Sequence, residues 1–471
     1  MSIKLIKCVT LHFVVLFIME FRRLLISLAF GCGPLLLVSC DKEKSSLDPV
    51  PAPIPSDVSW TQEQWETVQS LRQIDEEGYL YEINYTADYK MDDVLALNAS
   101  TLTKSLDDIR KTILPQTMWN LETQAVGSLA ERLLNWLKKG LGCTCFTAPN
   151  GEGFILGRNY DYPPINDHQI IVHTPQVKNE DGTIIRHATV GCADISSVAI
   201  LLGLGLGYKS NRDKEIALYS PYFILDGIND AGLMCGLMIV EYDGSSQKSG
   251  DGKLNLLNAM ITRLILDNCT TVSEAIRKIG EYAVQTIFQF PGMYGFWTDL
   301  HFLIADKYND KAVVEWINGE MRVLRPSVGD LQDQEPYYAL STNFYLSKSN
   351  LPIKFLLEKK YVETVGSEFG YWRYDQLTAL LKEKQSFSIQ DGMNMLQSVK
   401  VYQNDPEVFK FFDLMYPSCK DRTQLPEWND MYKWPWITLY SEVFDTNTLT
   451  MTYCLHEDFS HQYIFGIDYK K

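Results

Sequence analysis

The residues of this chain best suited to chemistry lie in one short segment, residues 142–161. It contains Cys143, whose thiolate would be a strong nucleophile, and Arg158 fifteen residues later. Two β-type runs flank Asn150-Gly151, the strongest short-range signal for a β-hairpin. If these two residues form the turn, Cys143 lies directly opposite Arg158, with Cβ atoms roughly 5 Å apart on one face. A guanidinium at that distance favours the thiolate and lowers the pKa of the cysteine.

Three residues leave the geometry of this hairpin open. Gly153 could extend the loop and shift the pairing by two residues. Asp161 has the wrong parity to share a face with Cys143, so it needs a bulge or the strand end to reach the site. Cys145 is a rival nucleophile, but under the Asn-Gly register it faces Leu156, which predicts a packed neighbour.

This segment resembles the choloylglycine hydrolase family of linear amide C–N hydrolases, which includes bile salt hydrolases, penicillin V acylases and, more distantly, acid ceramidase-like amidases. The resemblance depends on Cys143-Thr144 followed by Gly157-Arg158-Asn159-Tyr160-Asp161. Further matches follow in family order, over about residues 143–465: the turn motif Asp226–Leu233, Val314-Glu315, Thr342-Asn343 and Arg373. The ordered set is far more specific than any single motif.

The resemblance implies a fold, a maturation step and a role for each site residue. The fold would be α+β, a four-layer αββα sandwich of the N-terminal-nucleophile type. The mature enzyme would begin at Cys143, exposed by autocatalytic cleavage of the Gly142–Cys143 bond. Its α-amine, with an ordinary pKa of about 8, would then carry the thiol proton. The other roles would fall to Arg158 beside the thiolate, Asp161 at the amine, Asn343 as oxyanion donor and Arg373 in the charged network.

The implied reaction is hydrolysis of a non-peptide linear amide through a thioester acyl-enzyme. The substrate would be a small-molecule N-acyl amide, with conjugated bile salts or penicillin V as alternatives, and no metal or organic cofactor is implied. Bile salt hydrolases usually have a polar residue where this chain has Ile239, which argues against assuming bile-salt selectivity. An acyltransferase with the same acyl-enzyme, or a tethered binding protein that has lost catalysis, stays open.

Each of these residues also has an ordinary structural explanation. The Cys-x-Cys pair could be half of a metal site, but the seven histidines form no ligand pair at helical or zinc-finger spacing. Arg158 and Asp161 could be a surface ion pair, Asn343 a turn residue and Arg373 a charge on a helix surface. The functional interpretation is favoured because all four lie in family order beside a cysteine.

The first 40 residues are typical of an export signal. Charged residues at 20–23 precede an apolar run over residues 24–37, then Val38-Ser39-Cys40. This pattern resembles a bacterial lipoprotein signal in which Cys40 is acylated, and translation could begin at Met19. We expect an exported protein, lipid-anchored to a bacterial membrane on its periplasmic face or at the cell surface. A transmembrane anchor is the alternative, but the charges leave apolar pieces too short to span a bilayer.

Charge and composition define the remaining organisation. Residues 1–40 hold four Lys/Arg and one Glu, so 39 of the 43 basic and 58 of the 59 acidic residues remain, a net charge of −19. Such a surface repels phosphate backbones, so nucleic acid is not expected as a partner. Residues 41–59, rich in Pro and Ser, would form a tether. Residues 60–142 would be a mainly helical propeptide or small chain, and 143–471 the amidohydrolase domain, which could form a homo-oligomer.

Apolar periodicity predicts the main elements of these regions. A leucine stripe at 129–137 predicts a helix that ends near Gly140. Further helices are expected around 254–282, over 373–384 and over 389–399. Short β-rich runs occupy most of 143–350, and two strands close the chain on either side of residues 445–447. Strands and helices in separate blocks favour α+β.

Overall fold

The computed structural model describes residues 53–114, 142–162, 168–196, 208–241, 252–286, 297–325, 339–347, 370–400 and 437–469, together with positions 199 and 247. The segment expected to be a lipoprotein signal, most of the expected tether and the helix expected at 129–137 lie outside the described residues. Within those ranges, no helix is long and apolar enough to cross a membrane.

Nineteen strands are present in the described residues. In chain order they are β1 (Arg72–Gln73), β2 (Leu80–Asn84), β3 (Gly142–Asn150), β4 (Gly153–Tyr162), β5 (Gln169–Thr174), β6 (Val177–Lys178), β7 (Ile184–Arg186), β8 (Thr189–Asp194), β9 (Ile224–Asn229), β10 (Met234–Glu241), β11 (Asn255–Leu257), β12 (Ala283–Gln285), β13 (Trp297–Ala305), β14 (Lys311–Ile317), β15 (Glu320–Leu324), β16 (Leu340–Ser341), β17 (Ile437–Asp445), β18 (Thr450–Leu455) and β19 (Gln462–Gly466). Nine form one sheet in the order β1-β2-β5-β8-β9-β10-β13-β14-β15, and six form another in the order β16-β3-β4-β17-β18-β19.

Eight α-helices accompany them in the same ranges. They are α1 (Gln62–Gln69), α2 (Met91–Ala96), α3 (Leu102–Ile113), α4 (Asn211–Lys214), α5 (Ile261–Asn268), α6 (Val272–Ile279), α7 (Tyr371–Leu381) and α8 (Ile389–Ser398), with 3-10 helices at Glu215–Phe223 and Asn258–Met260. The helices expected over 373–384 and 389–399 are confirmed as α7 and α8. Ser388 caps α8 through a reciprocal capping box with Asp391.

The single helix expected around 254–282 is wrong in its extent. Strand β11 occupies its start, and two helices, α5 and α6, follow in place of one. The break falls at Cys269, whose backbone is extended (φ −125°, ψ 148°). Thr271 then starts the second helix by accepting a hydrogen bond from the backbone N–H of Glu274. Local capping therefore ends one helix and begins the next.

The elements form four layers. Helices α5 and α6 pack on the nine-stranded sheet through β9, β10 and β14. Helices α7 and α8 pack on the six-stranded sheet through β3, β4, β16 and β17, and the two sheets meet through β10, β3 and β4. The expected α+β fold, an αββα sandwich, is confirmed. The β3–β4 hairpin therefore has one face toward the other sheet and one toward helices α7 and α8.

The segment before residue 115 is part of the same structure. Besides helices α1 to α3, it contributes β1 and β2 to the large sheet, where β2 runs parallel to β5. Leu80 and Ile83 on β2 are fully buried. Residues 53–471 accordingly group as one unit.

The register of the β3–β4 hairpin differs from the first expectation. Asn150 pairs with Gly153, so the two turn residues are Gly151 and Glu152, and every pair is shifted by two residues. The predicted Asn150–Gly151 turn is therefore wrong. The structure shows the alternative, in which Gly153 shifts the pairing by two residues. This register places Gly153 tightly against the neighbouring turn, where a Cβ would lie 2.4 Å from Oδ1 of Asn447. Asn447 also donates from Nδ2 to the carbonyl oxygen of Asn150, at 2.8 Å.

Candidate active site

The thiol of Cys143 lies buried in the layer between the two sheets. Tyr160 is its cross-strand partner. Nη2 of Arg158 is 3.8 Å from the Cys143 sulfur, and the backbone N–H of Ile239 on β10 is directed at it. Burial raises the pKa of the thiol, and the opposing effects of Arg158 and the Ile239 N–H do not reverse the shift. The expected net lowering of this pKa is therefore wrong for the uncut chain, because desolvation outweighs the guanidinium.

Arg158 reaches Cys143 although its direct cross-strand partner is Cys145. Its guanidinium is fully buried and held at every nitrogen. Nε is 2.6 Å from Oδ1 of Asp226, and both Nε and Nη2 donate to the carbonyl oxygen of Leu237 at 3.0 and 2.8 Å. Nη1 donates to the hydroxyl of Tyr440 at 2.7 Å. These contacts fix the direction in which Nη2 faces the thiol.

Asp161 and Arg373 form a buried ion pair on the opposite face of the hairpin. Asp161 pairs with Gly142 across the strands, so it keeps the parity that the sequence indicated. Its Oδ2 accepts from Nη1 of Arg373 at 2.6 Å, and its Oδ1 accepts from the Thr438 hydroxyl at 2.7 Å. Burial raises the pKa of Asp161 to about 6, against the lowering effects of Arg373 and Thr438. Nη1 of Arg373 also donates to the carbonyl oxygen of Cys143 at 3.2 Å.

Asn343 holds the backbone nitrogen of Cys143. Its Oδ1 accepts from that N–H at 2.7 Å and from Nη2 of Arg373 at 2.8 Å. Because both partners can only donate, the orientation of the amide is fixed. Nδ2 donates one hydrogen bond to the carbonyl oxygen of Ile239, at 2.7 Å. Its second N–H is the one that could donate to an oxyanion. In the uncut chain, Asp161 is therefore connected to the Cys143 nitrogen through Arg373 and Asn343.

All five catalytic candidates from the sequence meet at this point of the fold. Cys143, Arg158, Asp161, Asn343 and Arg373 are each at most 1% exposed. Their hydrogen bonds and ion pairs form one continuous network around the Cys143 backbone and thiol. Within the described part of the chain, no three or more His, Cys, Asp or Glu side chains come together as metal ligands would.

Comparison with known proteins gives a family for this part of the chain. Residues 143–370 match the model of the choloylglycine hydrolase family, described as linear amide C-N hydrolases. That segment belongs to this family. The protein is accordingly a hydrolase that acts on carbon–nitrogen bonds of linear amides. No curated protein matches the sequence.

Two solved structures are similar to the chain. Mutant conjugated bile acid hydrolase from Clostridium perfringens is 14% identical, with a TM-score of 0.46, and the match covers 69% of this chain and 92% of that one. Penicillin V acylase from Agrobacterium tumefaciens is 16% identical, with a TM-score of 0.36, and the match covers 66% of this chain and 82% of that one.

Gly142 directly precedes Cys143 and lies tightly against the Asp161 side chain. A Cβ at Gly142 would lie 2.8 Å from Cβ and 2.9 Å from Oδ2 of Asp161. Real Cβ atoms do not approach other atoms so closely, so a side chain at this position would displace the carboxylate. The missing side chain lets the Asp161–Arg373 pair lie directly beside the Gly142–Cys143 bond.

Three site residues escaped the sequence analysis: Asp226, Tyr440 and Glu442. Asp226 opens the turn motif, so its position in that motif was the available signal. Glu442 is directly opposite Arg158 in the β4–β17 pair. No donor group of the described residues reaches either Glu442 oxygen. Burial and the neighbouring Asp226 raise the pKa of Glu442 well above its usual range, so it is a neutral acid whose proton is directed at Asp226.

Two other residues near the site are held by the fold. Asn229 shapes its turn, since its Oδ1 accepts from the backbone N–H groups of Ala231 and Leu233 at 3.1 and 2.9 Å. Cys145 was expected to face Leu156, but it lies directly opposite Arg158. Cys145 is fully buried, and burial raises its pKa well above the usual range of a thiol, with Asp226 adding to the shift. It is therefore a poor nucleophile as it stands.

Proposed function

We propose that this protein hydrolyses N-acyl amides with Cys143 as an N-terminal nucleophile. The observation that carries the proposal is the arrangement around this one residue. Its sulfur lies 3.8 Å from Nη2 of Arg158, while its nitrogen is bound at 2.7 Å by Oδ1 of Asn343. A site that holds both atoms suits a residue whose thiol attacks and whose amine moves the proton.

The first step of the proposal is self-cleavage at residue 142. The Cys143 sulfur attacks the carbonyl carbon of Gly142, and the peptide nitrogen leaves as the α-amine of Cys143. Water then hydrolyses the resulting thioester, which releases the Gly142 carboxylate and returns the thiol. Asn343 Oδ1 already accepts a hydrogen bond from this nitrogen and would keep the new amine in place.

The same groups would then act on substrate. The neutral α-amine, with an ordinary pKa of about 8, accepts the thiol proton as the sulfur attacks the amide carbonyl. The developing oxyanion is stabilised by Nδ2 of Asn343. The amine returns the proton to the leaving nitrogen, and water hydrolyses the acyl-enzyme. Arg158 stabilises the thiolate, while Arg373 and Asp161 hold Asn343 and the chain start in position.

We further propose that the upstream segment stays bound after cleavage as a small chain. Strand β2 lies inside the large sheet between β1 and β5. The hydroxyl of Tyr89 donates to Asp267 at 2.6 Å, and that of Tyr85 donates to the carbonyl oxygen of Leu218 at 2.9 Å. Removing this segment would expose a sheet edge and a buried surface. Native mass spectrometry should find both fragments together, whereas denaturing conditions should separate them.

Export and anchoring complete the proposal. The signal pattern before Cys40 supports an acylated cysteine that fixes the protein to a bacterial membrane. The variant Cys40→Ser should leave the membrane fraction and fail to incorporate labelled fatty acid. A Cys32→Ser variant, changed within the signal itself, should keep the label. If Cys40→Ser is still labelled, the anchor lies elsewhere.

Mass spectrometry of matched cysteine variants tests the nucleophile. The parent should yield a fragment that begins at Cys143. Cys143→Ala should abolish both this fragment and turnover, by at least about 1000-fold, as for removal of other nucleophiles. Cys145→Ala is the matched control because it lies two residues away on the same buried face, and it should keep most of both. If Cys145→Ala is the inactive variant, the assignment is wrong.

A substrate panel tests the reaction class. Purified protein is given N-acyl amino acids and fatty acyl amides, conjugated bile salts and penicillin V, and release of the amine is measured. We expect the largest kcat/KM for a general N-acyl amide. Added hydroxylamine distinguishes transfer from hydrolysis, since an acyltransferase would divert the acyl group to this acceptor. Binding of these compounds without any turnover would instead support a non-catalytic binding lipoprotein.

A further inference from the structure

A buried histidine–glutamate pair lies beside the loop that carries Asn343. His301 on β13 and Glu315 on β14 are both fully buried. In the strand register His301 pairs with Met238, the residue before Ile239 on β10. The pair is thus adjacent to the backbone that contacts the Cys143 thiol and the Asn343 amide, although neither residue belongs to the catalytic network described above.

The hydrogen bonds of His301 connect the loop to Glu315. Nε2 lies 2.7 Å from the carbonyl oxygen of Thr342, which can only accept, so Nε2 carries a proton. Nδ1 lies 3.2 Å from Oε1 of Glu315 and 3.4 Å from the Ser341 hydroxyl. Burial would raise the pKa of Glu315, but hydrogen bonds from His301 and Ser347 more than reverse this and lower it, so Glu315 is a carboxylate. The ring thus bridges the Thr342 carbonyl oxygen and the Glu315 carboxylate.

Glu315 binds the far side of the same loop. Its Oε1 accepts from the backbone N–H of Leu346 at 2.8 Å. Its Oε2 accepts from the backbone N–H and the hydroxyl of Ser347 at 2.9 and 2.5 Å. The His301–Glu315 pair consequently holds the loop just before Asn343 and again three to four residues after it.

The loop is also connected to the helix that supplies Arg373. The hydroxyl of Thr342 donates to the carbonyl oxygen of Gly370 at 3.1 Å, and Gly370 caps the start of α7. A shift of Thr342 would therefore move both partners of the Cys143 backbone, the Asn343 amide and the Arg373 guanidinium. Displacements of about 1 Å in a catalytic group can cost on the order of 100-fold in rate.

We propose that the hydrogen-bonded His301–Glu315 pair is a positioning device that fixes Asn343 against the Cys143 nitrogen. This inference rests on the proposed function, because it takes Asn343 as the group that holds the amine and stabilises the oxyanion. His301 and Glu315 act through the loop and do not touch substrate. Loss of either should therefore lower kcat and leave KM nearly unchanged.

The molecule contains a matched control pair. His173 on β5 and Glu82 on β2 are also buried, with Nε2 2.8 Å from Oε1. They lie toward the other end of the same large sheet. Nδ1 of His173 has no hydrogen-bond partner among the described residues. The control pair is thus chemically similar but does not hold the Asn343 loop.

Kinetics of the four neutral variants test the proposal. We expect Glu315→Gln and His301→Gln to lower kcat per processed chain at least about 10-fold, with KM changed less than about threefold. Glu82→Gln and His173→Gln should lose comparable thermal stability yet keep kcat within about twofold of the parent. The positioning role is wrong if the two sets show the same kcat, or if Glu315→Gln raises KM alone.

Nuclear magnetic resonance of the parent protein gives a second, independent readout. Histidine-specific 15N labelling is followed at a pH about one unit above the ordinary histidine pKa of about 6.5. One imidazole should carry a proton on Nε2, the nitrogen that faces the Thr342 carbonyl oxygen, and its signals should be absent from His301→Gln. An unprotonated Nε2 at His301 would overturn the inference, because Thr342 would then not be held. Cys143→Ala separates this from the proposed function, since activity retained in that variant refutes the nucleophile and not the positioning pair.

Discussion

The two faces of the β3–β4 hairpin have different tasks. Toward the other sheet, Nη2 of Arg158 faces the Cys143 sulfur, while Asp226 and Glu442 lie beside the guanidinium. Toward the helices, Arg373 binds the carbonyl oxygen of Cys143 and the Asp161 carboxylate. One face thus holds a cation at the thiol, and the other holds the backbone of the same cysteine. The two faces have equally deep burial, so what separates them is which atoms of Cys143 they contact.

The largest effect is expected from removing the guanidinium of the thiol face. Arg158→Gln should lower kcat/KM at least about 100-fold, because the thiolate loses its charged donor. It should also lower the free energy of unfolding by about 3–5 kcal/mol, because Asp226 is left buried without its ion pair. Enzyme kinetics and urea unfolding measure the two effects.

The double variant Arg158→Gln/Asp226→Asn distinguishes catalysis from stability. Removing both charges should restore much of the free energy of unfolding, since no buried ion remains unpaired. Activity should stay low because the thiol still lacks a guanidinium. Recovery of activity together with stability would mean that Arg158 only holds the fold, and the contrast between the two faces would disappear.

Gly142→Ala is expected to have the next largest effect. It should slow cleavage of the bond between residues 142 and 143 without changing turnover of substrate. The added Cβ would displace the Asp161 carboxylate, since it would lie 2.9 Å from Oδ2. The rate at which the fragment beginning at Cys143 appears should fall about 100-fold, as for other misplaced catalytic groups. Activity per processed chain should match the parent, because residue 142 is then no longer attached. Cleavage at the parental rate would show that the close approach is not required.

Asp161→Asn should have a smaller, pH-dependent effect. The pKa of Asp161 is raised to about 6, so self-cleavage in the parent should slow as the pH falls through that value and Arg373 loses its charged partner. Asp161→Asn should be slower by about 10-fold above that pH and should lack this pH limb. A pH limb that persists in Asp161→Asn belongs to another group.

Stability should depend on pH in the opposite direction. The folded-state pKa of Asp161 lies above the unfolded value, so its contribution is fully present below about pH 4 and is lost as pH rises through about 6. Unfolding of uncut Cys143→Ala should show this loss. The double variant Cys143→Ala/Asp161→Asn should not, and an identical pH profile in both would contradict the raised pKa.

The smallest effect is expected from Glu442→Gln. Glu442 is already neutral, because burial and Asp226 raise its pKa well above the usual range. An uncharged amide of the same shape should therefore keep kcat/KM within about threefold and unfolding within about 1 kcal/mol. Substantial destabilisation at neutral pH would show that Glu442 carries a charge opposite Arg158, and the account of the thiol face would need revision.

The order of motifs along the chain predicted which residues form the site but not which hydrogen bonds and ion pairs connect them. Cys143 and Arg158 were singled out by residue type and spacing, and Asp161, Asn343 and Arg373 by the resemblance to the family's ordered motifs. Their expected contacts depended on a turn assignment, and that assignment was wrong by two residues. Gly153 was the local signal for the actual register, but its close contact with Asn447, almost 300 residues away, could not be found within the hairpin.

The partners of Arg158 illustrate the same limit. Glu442 faces Arg158 only because β17 pairs with β4, which joins distant parts of the chain. A lone glutamate in a C-terminal strand has no sequence pattern that marks it as a buried neutral acid. Strand β2 was likewise hidden, because it lies in a region whose periodicity is mainly helical.

The sequence by itself determined that a hairpin exists here and that its first strand carries a cysteine after a glycine, because turn propensity and residue order are local properties. The distant polar residues Asn343 and Arg373 came instead from the resemblance to the family's ordered motifs. Only the tertiary structure decided which groups meet the sulfur and which meet the nitrogen. That division arises when two sheets and two helices enclose the hairpin, because burial and strand pairing fix both charge and contact.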